Sequence, residues 1–84
     1  MEAKTYFTQQ DGKLTREGVE LRRVAGFCDV SPYYLYMVVA GHKKPSPDLA
    51  ANLEHATNGA VDRRVTLPEF RWDAPAKPAK KRAA

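Results

Sequence analysis

Cysteine occurs once in this chain of 84 residues, at Cys28. An internal disulfide is therefore impossible, and a cross-linked secreted scaffold is excluded. No apolar stretch approaches the ~20 residues that a membrane-spanning helix needs. No charged-then-apolar leader marks a secretion signal, so a reducing, cytoplasmic setting is expected. Histidine is scarce too. His42 and His55 lie far apart, and neither is near Cys28, so no metal-ligand spacing exists. There is no glycine-rich phosphate loop. Ser31 has no base placed in sequence to activate it. These absences argue against an enzyme and against a cofactor or small-molecule ligand.

Charge of one sign is scarce where it would matter most. The net charge is +4, but residues 1–73 hold ten basic and ten acidic side chains. The excess comes from Lys77, Lys80, Lys81 and Arg82, which follow Asp73 with no further acid. Binding to a polyanion must therefore rest on local clustering. Residues 30–47 contain His42, Lys43 and Lys44 and no acid.

What is present is a series of short helical patterns, an all-α reading. Ala3, Tyr6 and Phe7 fall at i, i+3 and i+4 and predict a helix ending near Gln10, before the Asp11-Gly12 turn signal. Thr15 is the expected cap of the next helix, with Leu14 and Val19 spaced as a hydrophobic staple. Leu21, Val24, Ala25 and Cys28 give that helix its apolar face, which makes Cys28 a small buried hydrophobe. Gly18 and Gly26 weaken it by about 1 kcal/mol each relative to alanine; Gly26 suits a close helix crossing. Asp29-Val30-Ser31 breaks the pattern. Ser31 caps a third helix over about 32–40, Pro32 fits its first position, and Gly41 ends it in a left-handed conformation. Ser46 and Pro47 repeat the device for a fourth helix, which buries Leu49, Ala50, Leu53 and Ala56 and stops at Asn58-Gly59. Asp62 caps one last turn through Val65. Leu67, Phe70 and Trp72 then lie on extended chain. They either pack back on the helices or form a homodimer contact. The expected domain is 1–73, with a disordered Ala/Pro/Lys-rich tail over 74–84. That tail is either a solubilising extension or a source of sequence-independent phosphate attraction.

Two helices joined by a turn of about four residues form a helix-turn-helix, whose second helix enters the DNA major groove. Helical spacing turns Leu35, Val38 and Val39 inward. It leaves Pro32, Tyr33, Tyr36 and Met37 outward, with Tyr34 near the edge. Lys43 and Lys44 are placed to meet phosphates, and His42 is able to donate to one. Arg22 is either a phosphate contact or part of a salt-bridged surface with Glu17 and Glu20. Arg63 and Arg64 read as surface residues. A tyrosine offers one hydroxyl and a flat apolar ring, so three in four positions suit either DNA or a protein partner.

Val24-Ala25-Gly26-Phe27-Cys28-Asp29-Val30-Ser31, followed by Ala40-Gly41-His42-Lys43, resembles the helix-turn-helix of Cro-type and lambda-repressor-like regulators. Pro45 to Ala50 and Leu53 to Val61 resemble the stretch that follows it in Cro-like and YdaS-like proteins. The likeness covers roughly residues 5 to 72. It implies a lambda-repressor-like fold of four to five short helices. It also implies a sequence-specific double-stranded DNA-binding regulator, of phage, prophage or bacterial repressor type, acting at an operator in the bacterial cytoplasm. By this resemblance Ser31, Pro32, Tyr33, Tyr36 and Met37 occupy the base-reading positions. Asp29 departs from the glycine usual at the turn, and Ala40 from the usual asparagine. The alternative implied by YdaS-like relatives is a protein-interaction module, such as an antirepressor or toxin–antitoxin component. A nonspecific nucleic-acid binder driven by the tail is a third reading.

Overall fold

The computed structural model describes residues 1–72; the expected disordered tail, 74–84, lies outside them. Five helices follow in order: α1 (Ala3–Asp11), α2 (Val19–Phe27), α3 (Pro32–Val39), α4 (Pro47–Ala56) and α5 (Arg63–Thr66). No strand occurs among the described residues, so the fold is all-α. None of these helices is long and apolar enough to cross a membrane. Helix α2 is the hub. It packs against α1, α3 and α4, and α5 closes on α4. Phe7, Leu21, Val24, Leu35, Leu53 and Val61 are completely buried and form the centre. Burying each such side chain contributes about 1.5–3 kcal/mol.

Local chemistry sets most helix ends. The Ser31 hydroxyl accepts from Tyr34 N at 3.0 Å and the Ser46 hydroxyl from Leu49 N at 3.1 Å. In both helices proline occupies the first position, where no N–H partner is needed. Asp62 caps α5 through Arg64 N at 2.7 Å, and that helix runs one residue beyond the expected turn. Three C-termini close with the same backbone motif, a left-handed residue flanked by a six-to-one and a five-to-two hydrogen bond. For α2 these are Val30 N to Ala25 O at 3.0 Å and Asp29 N to Gly26 O at 3.2 Å. Helices α3 and α4 repeat the pattern through Gly41 and Asn58.

The start of α2 differs from the sequence expectation. Thr15 is not its cap: the Thr15 hydroxyl accepts from Glu17 N in the preceding loop, and the helix opens later, at Val19. Gly18 stands at the cap position with no side chain to offer. Asp11, at the end of α1, fills the role from outside. Its carboxylate accepts from Glu20 N at 3.0 Å and Leu21 N at 3.2 Å. This approach requires Gly18, because a Cβ there would lie 2.1 Å from Asp11 Oδ2. The expected staple is absent: Val19 is 84% exposed, while Leu14 packs on the core from the loop. Nor does Gly26 mark a close crossing, since a Cβ there meets nothing within 4 Å.

A second tie fixes the middle of α2. The Tyr6 hydroxyl donates to Glu20, and Arg23 pairs with the same carboxylate at 2.6 Å. Arg23 also donates to Ala56 O at 2.7 Å, so one network joins α1, α2 and the end of α4. The hydrogen bond from Arg23, helped by that from Tyr6, outweighs burial and holds the Glu20 carboxyl below its usual value. Burial first, then the hydrogen bond to Glu20, raises the Tyr6 hydroxyl above its usual value. Farther on, buried Thr57 donates to Leu53 O at 2.7 Å and accepts from Val61 N at 3.1 Å, linking α4 to the approach to α5.

The C-terminal segment turns rather than extends. Leu67 is buried against the helices. Trp72 Nε1 donates to Leu67 O at 2.9 Å, and the Arg63 guanidinium lies 5.4 Å from the indole ring. Arg63 also pairs with Glu54, so it supports the fold instead of serving as a plain surface group. Phe70 leans on Trp72 and stays 44% exposed.

Replacing Asp11 by alanine removes the carboxylate that caps the free amides of α2 and is expected to cost about 1 kcal/mol, the usual loss for a helix N-cap. Gly18→Ala displaces the same carboxylate and is expected to cost at least as much; urea unfolding midpoints measure both. Because the folded Glu20 carboxyl lies below its ordinary 4.5, its stabilisation is complete above that value and is lost as pH falls through the folded value. Glu20→Gln is therefore expected to flatten the acid limb of a stability–pH profile.

Candidate nucleic-acid interface

The connection between α2 and α3 spans Cys28 to Ser31. Asp29 takes φ = 59°, a left-handed conformation that accounts for the glycine usual at this turn in the proteins it resembles. Aspartate tolerates it better than most side chains, at some cost in strain. Cys28 is 8% exposed on the inner side, and burial pushes its thiol up, consistent with an inert packing role.

Helix α3 divides by depth. Leu35 and Val38 are buried, and Val39 packs beside them. Tyr33 is 51% exposed and forms the outward crest. Met37 and Ala40 follow it at i+4 and i+7 and are partly exposed. Pro32 is also partly exposed, and Ser31 is exposed while capping. Tyr34 and Tyr36 depart from a freely outward aromatic face: both rings are half-buried and packed against the core. The helix is short and narrow, so rings flanking the inward row cover Leu35 and Val38 rather than stand away from them. For Tyr34 this is the expected edge position. For Tyr36 it is a correction.

His42, Lys43 and Lys44 are all exposed directly after α3. His42 N donates to Met37 O at 2.9 Å, which fixes the backbone at the base of this loop. Lys44 Nζ lies 3.3 Å from Glu69, with both side chains 75% exposed. Such a pair is weak in water, so a phosphate can replace Glu69 at little cost. The loop also borders an open groove of about 470 Å³ floored by Val38, Val39, Leu53 and Val65. Arg22 is exposed on α2. The salt-bridged surface expected around it involves its neighbour Arg23 instead.

Arg16 joins this surface without any signal in the local sequence. The Arg16 guanidinium lies 5.5 Å from the Tyr33 ring centroid, a cation–π contact at the crest of α3. It also faces Glu17 at 3.8 Å, on an exposed surface. No periodic signal identifies this contact, because it joins a loop to a helix that follows much later in the chain. Arg16 thus joins the loop before α2 to the crest of α3, and the exposed basic loop follows the same helix. Among the described residues no group of three or more His, Cys, Asp or Glu side chains could hold a metal ion. No family model, curated protein or solved structure matches this chain.

Asp29→Gly is expected to raise stability by up to about 1 kcal/mol, because glycine takes the left-handed conformation without a Cβ clash. Thermal unfolding reads this change. The same substitution removes a negative charge beside α3.

Proposed function

We propose that this chain is a sequence-specific double-stranded DNA-binding transcriptional regulator of the repressor type. In this reading it has a lambda-repressor-like helix-turn-helix and is related to Cro-like and YdaS-like phage or bacterial regulators. It acts in the bacterial cytoplasm by occupying an operator. One observation carries the reading: helix α3, capped by Ser31, holds Tyr33 outward, and the exposed His42–Lys44 loop follows it without an intervening acid.

Each part has a definite task. Leu35 and Val38 anchor α3 to the hub helix, so its outer row is held rigidly. Tyr33 and Met37 meet base edges in the major groove, and Ser31 supplies a hydroxyl at the helix start. Lys43 and Lys44 neutralise phosphates on one side of the groove. Arg22, or the loop bearing Arg16, meets the backbone on the other side. Phosphate contacts position the helix, and base contacts specify the site. Because residues 1–73 are formally neutral, affinity depends on these few contacts. A two-fold operator calls for a homodimer, and exposed Val65 and Phe70 are apolar groups that such a contact would cover.

Selection of bound sites from random duplex DNA tests the proposal directly. A two-fold symmetric consensus is expected, with affinity retained against excess unrelated DNA. Tyr33→Ala is expected to weaken binding to the selected site about tenfold, equivalent to ~1.4 kcal/mol, with the fold intact by circular dichroism. Lys43→Ala is expected to weaken all sequences equally and lower the salt slope by about one. Loss of preference against unrelated DNA would favour a nonspecific binder. No binding to duplex DNA would favour the protein-interaction reading, in which the same tyrosine surface meets a protein.

A further inference from the structure

The outward row of α3 carries an unusual set of groups for a base-reading helix. Guanine is read by arginine or lysine, adenine by asparagine or glutamine, and cytosine by a carboxylate. Tyr33, Met37 and Ala40 include none of these, and neither does Pro32 at the helix start. Tyr36 leans back on the core, and Ser31 already spends a lone pair on Tyr34 N. What remains is apolar surface and single hydroxyls. The one base feature in the major groove that such surface recognises is the methyl group at C5 of thymine.

Resting on the DNA-binding reading proposed above, we infer that the Tyr33–Met37 row recognises pyrimidine 5-methyl groups, with Arg16 holding the Tyr33 ring in the reading position. Arg16 sits over the ring at 5.5 Å while its side chain stays 57% exposed. An exposed tyrosine otherwise rotates freely and loses contact area to side-chain entropy. With a guanidinium over one face, the ring has its other face and edge left for a methyl group. Arg16 is thus a positioning residue for Tyr33 and adds positive charge beside the groove. The ligand class is a duplex carrying thymine at the contacted positions. 5-Methylcytosine presents the same methyl group there.

The experiment changes the DNA and leaves the protein intact. Fluorescence anisotropy compares the selected duplex with copies in which single thymines are replaced by deoxyuridine, which lacks only the methyl group. At contacted positions affinity is expected to fall about fourfold per thymine, the effect of one buried methyl group. Replacing a contacted T·A pair by a 5-methylcytosine·G pair is expected to bind more tightly than the unmethylated C·G pair. Tyr33→Ala is expected to bring the thymine-to-deoxyuridine ratio close to one. Arg16→Gln is expected to lower that ratio too; if Arg16 were only a phosphate contact, it would weaken both duplexes equally and leave the ratio unchanged. Equal affinity for thymine and deoxyuridine at every position would overturn the inference while leaving the DNA-binding reading in place. Absence of any preferred site would overturn both.

Discussion

The carboxylate of Asp11 on the free amides of Glu20 and Leu21, in the first turn of α2, is the contact on which the arrangement depends. Helix α2 touches three of the other four helices, yet its own sequence is poorly suited to start one. It opens at a glycine with no side-chain cap and contains a second glycine near its end. Isolated helices of nine residues are marginal in water even with good sequences. The missing cap comes from α1, and the Tyr6–Glu20–Arg23–Ala56 network ties the same helix to α1 and α4. Local order at α2 is therefore a product of tertiary contact, and folding of α1, α2 and α4 is coupled.

This coupling explains which features were legible in the sequence. Ser31-Pro32, Ser46-Pro47 and Asp62 are caps that act within three residues, and all three begin helices as expected. The inward faces of α2, α3 and α4 follow from spacing alone, and the left-handed Asp29 stands where the resembled turn usually has glycine. Thr15 looked like a cap because it has the right chemistry a few residues before an apolar stripe. It lost that role to a carboxylate from another helix, a choice that local sequence cannot reveal. Gly26 suggested a close crossing, but it faces open space. Tyr36 carries a wheel position near the boundary between inward and outward, and only the width of the packed core decides how far its ring tilts.

The candidate surface divides along the same line. Its helix, its crest residue and its basic loop were readable from the chain, because each is local. The Arg16–Tyr33 contact and the Lys44–Glu69 pair were not, because both join segments distant in sequence. These two contacts differ in kind. One stacks a cation on a ring at the centre of the surface. The other is an exposed ion pair at its margin, easily exchanged for another anion.

The start of α3 has one more consequence. Pro32 presets the backbone angle and Ser31 binds Tyr34 through its main-chain N–H, so neither device uses the side chains at positions 33 and 37. Inner residues Leu35 and Val38 fix depth and orientation. The crest thus stands apart from the contacts that start and seat the helix. Those two side chains can therefore be exchanged without disturbing the cap or the buried row that hold the helix.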